Sequence, residues 1–244
     1  MEERYTELAG LQTSLISDGK AAAIRVVFLH GFDMRASDLT PFAHSLAIPG
    51  VAYAFPQGPM RVSATGHAWW ESGRLKAQRL PAAARDLWNE FPVGREAARA
   101  RLGDWLDALR AKHAEPIVLA GFSQGGMLAC DSVLMEGTDV CGLGALSSSG
   151  IAGTDWVARR DRLNGIPAFV SHGHDDPDLA FTAGQRLAKF LTASGATVDW
   201  LPFDGGHEIP FPVWKGFKRF LQLQVRAAQQ NNTYVGYTGQ DARL

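Results

Sequence analysis

Residues 116–129 read Pro-Ile-Val-Leu-Ala-Gly-Phe-Ser-Gln-Gly-Gly-Met-Leu-Ala. Pro116 to Ala120 has the make-up of a short buried strand, and Met127-Leu128-Ala129 should begin a helix. Between them stands Gly121-Phe122-Ser123-Gln124-Gly125. A turn tight enough to pass from strand to helix there lifts the serine oxygen clear of the sheet and forces strained dihedrals on Ser123. Glycines two residues to either side let neighbouring backbones approach without a Cβ clash. A serine hydroxyl is a poor nucleophile near neutral pH, so this reading demands a base and an orienting acid elsewhere in the chain.

Working outward, similar short apolar or β-branched runs occupy 24–29, 51–55, 141–146, 166–171 and 198–203. Longer stretches with helical patterning separate them, which predicts an α/β fold: a mostly parallel central sheet with helices on both faces. Over 96–112 the residues Ala98, Leu102, Trp105, Leu106 and Leu109 share one stripe, with arginines and aspartates elsewhere. Segments 181–194 and 213–225 read as two more helices, the first closed by Gly195 in a left-handed cap. The economical organisation is a single domain over 1–228 with about six core strands and an extra N-terminal strand around 5–16. A loop-rich insertion over 56–92 holds Gly58, Pro59, Gly66, Gly73, Pro81 and the pair Trp69-Trp70, and loops of this length often carry function. Residues 229–244 form a polar tail.

Composition narrows the function. With 244 residues and 46% hydrophobic content the chain can bury a sizeable core. Its 24 Lys+Arg against 25 Asp+Glu give no net field to gather a polyanion, which argues against nucleic-acid binding. No apolar run approaches the ~20 residues that span a bilayer, and Met-Glu-Glu-Arg is the wrong flank for a secretory signal. Cys130 and Cys141 are too few for a disulfide framework and lack zinc-site spacing. A cytoplasmic location is the expectation.

Two further polar loops follow predicted strands: His172-Gly173-His174-Asp175-Asp176-Pro177 after 166–171, and Asp204-Gly205-Gly206-His207-Glu208 after 198–203. In a parallel sheet these loops and Ser123 emerge at one edge, where open α/β sheets bind ligands. Serine, then acid, then histidine is the order in which such folds supply a catalytic triad.

With Leu29-His30-Gly31 after the first core strand, Gly121 to Gly126, the His172-Gly173-x-x-Asp176-Pro177 pattern and Gly206-His207-Glu208-Ile209, the chain resembles the carboxylesterases and acyl-protein thioesterases of the α/β-hydrolase superfamily. The resemblance covers about 24–225. It implies Ser123 as nucleophile, His207 as general base and acid, and Asp176 as orienting carboxylate. Backbone N–H groups of Phe32 and Gln124 would form the oxyanion hole. Asp175 competes for the acid role; the H-G-x-x-D spacing and Pro177 favour Asp176. Where many relatives continue His-Gly with a further glycine and a Gly-Asp pair, this chain has Phe32-Asp33-Met34-Arg35, so the first oxyanion loop is expected to differ in shape.

The activity implied is hydrolysis of small-molecule carboxylic esters, with thioesters alongside, of short to medium acyl chains and with no metal or organic cofactor. Phe32, Met60, Trp69, Trp70, Leu179, Ile209 and Phe211 lie in or beside the surrounding loops and are candidates for an apolar substrate pocket. Only one of Trp69 and Trp70 should face it, because neighbours in an extended segment point opposite ways. Two rival readings differ in class. One is a non-catalytic binding protein on the same fold; the other is a metal-dependent hydrolase using His172 and His174 as an H-x-H-x-D cluster.

Overall fold

The computed structural model describes residues 1–71 and 84–238, with side chains through 230. Residues 72–83 of the loop-rich insertion, Gly73 and Pro81 among them, and the tail beyond 238 lie outside the described residues. The chain opens with a hairpin of β1 (Glu2–Leu8) and β2 (Leu11–Ser17) turning through Ala9 and Gly10, both at positive φ. One strand was expected there. Ala9 is the reason for the difference, since an alanine seldom announces a left-handed turn.

There follow β3 (Ile24–Leu29), α1 (Thr40–Leu46), β4 (Val51–Pro56), and a small hairpin of β5 (Met60–Arg61) with β6 (His67–Ala68). Next come α2 (Arg95–Arg110), β7 (Ile117–Phe122), α3 (Gln124–Glu136), β8 (Gly142–Leu146) and α4 (Gly153–Ala158). The last elements are β9 (Pro167–Gly173), α5 (Phe181–Ala193), β10 (Thr197–Phe203) and α6 (Phe211–Thr238). Gly195 is left-handed at φ 91°, as a helix stop requires. The final helix runs past the expected 225, and no glycine or proline stands between Gly216 and Gly236 to end it.

The strands form one sheet in the order β1-β2-β4-β3-β7-β8-β9-β10, antiparallel from β1 to β4 and parallel from β4 to β10. Its central strands are buried on both faces, which is why they read as largely apolar runs; Arg25 in β3 is a buried exception, paired with Glu115 at 3.1 Å. Alternate side chains of β3 divide between two cores. Val27 and Leu29 join Leu102, Trp105 and Leu128 of α2 and α3, while Val26 and Phe28 join Leu46 of α1 and Val213 and Phe217 of α6.

The order of winding fixes where function can sit. From β3 the chain steps outward to β4, then crosses back so that β7, β8, β9 and β10 add on the other side of β3. The loops after β3 and β7 therefore separate at the point where the winding reverses, leaving a crevice at the carboxyl edge. Among the described residues no helix is long and apolar enough to cross a membrane, and Cys130 and Cys141 are free thiols.

Candidate active site

Ser123 occupies the one-residue gap between β7 and α3 at φ 52°, ψ −119°, a conformation that costs an L-residue about 1–3 kcal/mol and persists only where its surroundings enforce it. Enforcement comes from backbone contact. A Cβ on Gly121 would collide with the Gly125 carbonyl, and one on Gly125 with the Leu29 carbonyl. The turn is therefore pressed directly against β3. The Ser123 N–H donates to the Leu146 carbonyl at 2.9 Å, and Ser148 Oγ donates to the Ser123 carbonyl at 3.0 Å.

The loops after β9 and β10 converge on this serine. His207 Nε2 lies 2.9 Å from Ser123 Oγ, and His207 Nδ1 lies 2.7 Å from Asp176 Oδ2. The Asp176 side chain is fully buried. Its Oδ1 accepts the N–H groups of Asp178 at 2.8 Å and Leu179 at 2.9 Å. Burial alone would raise its pKa, but hydrogen bonds from His172, His207 and the Leu179 N–H outweigh that and hold the carboxyl well below the usual range. Asp175 is exposed and uses its N–H on the Gly205 carbonyl. Ser147, at φ 44°, donates its hydroxyl to the Glu208 carbonyl at 2.8 Å and so tethers the His207 loop to the end of β8.

The β3 loop is held as firmly. Because the Gly58 N–H donates to His30 Nε2 at 2.8 Å, that nitrogen is an acceptor and the ring hydrogen sits on Nδ1, which donates to the Gly31 carbonyl at 2.7 Å. Gln57 Nε2 makes a second approach to His30 Nε2 at 2.9 Å. Desolvation lowers the pKa of His30 to about 4. Trp69 sends its indole N–H to the His30 carbonyl at 2.9 Å, and its backbone N–H to Gln124 Oε1 at 2.9 Å. Gln124 Nε2 in turn donates to the Trp70 carbonyl at 2.9 Å. The N–H groups of Phe32 and Gln124 are not taken up by any other group among the described residues.

A cleft of about 210 Å³ opens beside Ser123 and His207, walled by Phe32, Met34, Trp70, Leu87, Met127 and Leu179, with Arg85 and Asp178 at its polar side. Of the expected pocket residues, Phe32, Trp70 and Leu179 line it. Trp69, in a bend just past β6, is buried and does not line the cleft; its indole is held by the bond to the His30 carbonyl. Ile209 and Phe211 line a separate apolar groove with Phe42 and Trp214, because the chain turns toward α1 once Glu208 is tethered to Ser147. Met60 sits on the β5–β6 hairpin. His172 and His174 have different polar partners: His172 is fully buried against Leu179 and Asp176, while His174 is exposed and pairs with Asp204 at 3.1 Å. Among the described residues no three His, Cys, Asp or Glu side chains converge as a metal site.

Sequence reading missed Gln57, Gly58, Met34, Leu87 and Ser147. Only Ser147 had a usable signal: three consecutive serines at the carboxyl end of a core strand.

A family profile described as Phospholipase/Carboxylesterase matches residues 12–225. A probable carboxylesterase SOBER1-like of Arabidopsis thaliana is 35% identical over 121 residues, which is 48% of this chain and 46% of that protein. Carboxylesterase SOBER1 of the same plant is 34% identical over 117 residues, covering 47% and 51% respectively. The matched stretches thus span about half the length of these plant relatives. An acyl-protein thioesterase 1 of Cryptococcus neoformans is 26% identical over 195 residues, 72% of this chain and 76% of its own. Among solved structures, esterase PE8 superposes with TM-score 0.74 at 23% identity, covering 87% of this chain and 98% of its own. A carboxylesterase from Mesorhizobium loti gives 0.70 at 19%, covering 90% and 98%. These structural likenesses show the fold, the α/β-hydrolase fold.

Proposed function

This chain belongs to the phospholipase/carboxylesterase family, and on that footing we propose that it is a serine hydrolase cleaving carboxylic esters, thioesters included, of short to medium acyl chains. The observation that carries the reading is the unbroken run of hydrogen bonds from Ser123 Oγ through His207 to Asp176, at 2.9 and 2.7 Å. In this reading His207 Nε2 takes the hydroxyl proton as Ser123 attacks the carbonyl carbon, and Asp176 keeps the ring hydrogen on Nδ1 and stabilises the imidazolium. The tetrahedral oxyanion receives the N–H groups of Phe32 and Gln124, each worth about 3 to 4 kcal/mol in a comparable site. His207 then returns the proton to the leaving alcohol or thiol. Water, activated by the same imidazole, attacks the acyl-enzyme and releases the acid.

The cleft supports the choice of substrate. At about 210 Å³ it falls below the ~300–1,000 Å³ of sites for drug-sized ligands, which suits a small acyl group against Trp70 and Leu179. Intact mass after exposure to a serine-directed organophosphonate tests the proposal without knowledge of the natural ester. One adduct on the wild type and none on Ser123→Ala is expected. No adduct on either would overturn the reading and favour a binding protein built on the hydrolase fold.

A further inference from the structure

Behind Asp176 stands a fully buried histidine that the relay proposed above does not use. His172, near the carboxyl end of β9, has Nε2 3.0 Å from the Leu179 carbonyl oxygen and 3.2 Å from Asp176 Oδ2. Its other ring nitrogen, Nδ1, is buried without a hydrogen-bond partner and faces Gly184 on the first turn of α5, where a Cβ would collide with it. A buried N–H with no acceptor is costly, so the ring hydrogen belongs on Nε2. The carboxylate is then fully subscribed. Oδ1 takes two backbone N–H groups, and Oδ2 takes the two histidines.

We propose that His172 is a positioning residue of the acid–base relay: its Nε2–H, shared between Asp176 Oδ2 and the Leu179 carbonyl, aligns the carboxylate with His207 and ties it to the cleft wall. The inference rests on the Ser123–His207–Asp176 reading and adds a residue to it. Two consequences are separable. As a geometric clamp, His172 limits rotation of the carboxylate away from His207. As a competing donor, it draws charge from the oxygen that His207 uses; without it Asp176 holds the imidazolium more tightly. Other charges surround the pair: Asp175 and Asp178 on the same loop, Asp204 and Glu208 on the loop before α6, His174 beside Asp204, and Arg85 on the segment hydrogen-bonded to Asp178 and Ala180. All remain in place when His172 is replaced, so the difference between variants isolates its contribution.

The experiment is the pH profile of kcat/KM on p-nitrophenyl acetate for the wild type, His172→Phe and His172→Gln. Phenylalanine fills the ring space without a donor, whereas the glutamine amide can present an N–H close to where Nε2 stands. In His172→Phe the acid limb should move up by about 0.5 to 1 unit, with kcat down ~10-fold from misalignment. His172→Gln should bring both back toward wild type. An acid limb unmoved in His172→Phe, whatever its stability, overturns the proposal and leaves the histidine as filler. Should the phenylalanine variant not fold, ¹⁵N NMR of histidine-labelled wild type decides the matter: Nε2 protonated with bare Nδ1 is expected, and the opposite tautomer refutes the clamp. Organophosphonate labelling separates the two levels. A normal adduct with an unmoved limb sinks only His172, while absence of any adduct overturns the relay and the inference with it.

Discussion

Replacing Asp176 by asparagine tests the relay at its most constrained point. The two oxygens of Asp176 have different tasks: Oδ1 accepts two backbone N–H groups and Oδ2 accepts from His207 and His172. An asparagine that keeps its oxygen toward the backbone turns its NH₂ onto two ring N–H donors. The flipped amide is no better, since it sets the NH₂ against the N–H groups of Asp178 and Leu179. The first arrangement can be relieved by moving the His207 hydrogen from Nδ1 to Nε2, and that nitrogen then no longer accepts the Ser123 proton. Wrong-tautomer substitutions of this kind lower kcat by roughly 10⁴ in a serine protease. A loss of 10³ to 10⁴, or about 4 to 5.5 kcal/mol in the barrier, is expected here. The assay is steady-state hydrolysis of p-nitrophenyl acetate near pH 8, with circular dichroism to establish that the variant is folded. Asp175→Asn, on the exposed neighbour, should stay within about threefold of wild type. A folded Asp176→Asn that keeps more than a tenth of the activity would refute the reasoning, and a severe loss in Asp175→Asn would reassign the acid.

Other outcomes follow from neighbouring features. His30 is lowered from 6.5 to about 4, so below pH 6.5 the unfolded chain takes up a proton that the folded chain refuses. Stability present at pH 7 should therefore fall by about 3 kcal/mol as the pH drops from 6.5 to 4; urea midpoints should show a shallower slope for His30→Gln, and equal slopes would contradict the assignment. Trp70→Ala should widen the cleft and shift preference along an acetate-to-decanoate ester series toward longer chains. Trp69→Ala should instead slow all chain lengths alike and cost about 3–5 kcal/mol of stability; if neither variant changes the preference, the cleft is not the acyl site. Asp131 is fully buried and accepts from Arg95, Arg99 and Trp156 at 2.7 to 3.0 Å. Asp131→Ala leaves two buried guanidinium groups short of a partner and should destabilise by about 3–5 kcal/mol; a loss under 1 kcal/mol in urea unfolding would rule this out.

The parts of this molecule that are legible in its sequence are those where burial leaves few choices. Ile24–Leu29 and Ile117–Phe122 are buried at every position, and a strand covered on both faces is written mainly in apolar residues; Arg25 is the exception, and it is paired with Glu115. The stripe over α2 is legible because one face meets the sheet and the other meets water. The elbow is legible because contact between backbones admits only glycine. Short elements leave no such trace. The two-residue strands β5 and β6 and the seven-residue α1 are defined by what packs on them rather than by any period of their own. Alternation along an extended segment is the ground for expecting only one of Trp69 and Trp70 at the cleft, but the pair sits in a bend, and Trp69 is held off by its indole meeting the His30 carbonyl. The placement of Ile209 depended on Ser147, more than sixty residues upstream, tethering Glu208.

Where Gly121, Gly125 and the Leu29 carbonyl meet, three stretches of main chain touch with no side chain between them. A seam of this kind has no adjustable parts. Substituting either glycine opens it, and nothing nearby can be trimmed to compensate, because what lies opposite is backbone. The distance between the Ser123 oxygen and the Gln124 N–H is therefore closed to gradual change. Trp70, Leu87 and Leu179, by contrast, meet the cleft through side chains that can be exchanged one at a time. Descendants of this chain could acquire new substrates by revising those walls, while the elbow passes through every such revision unaltered.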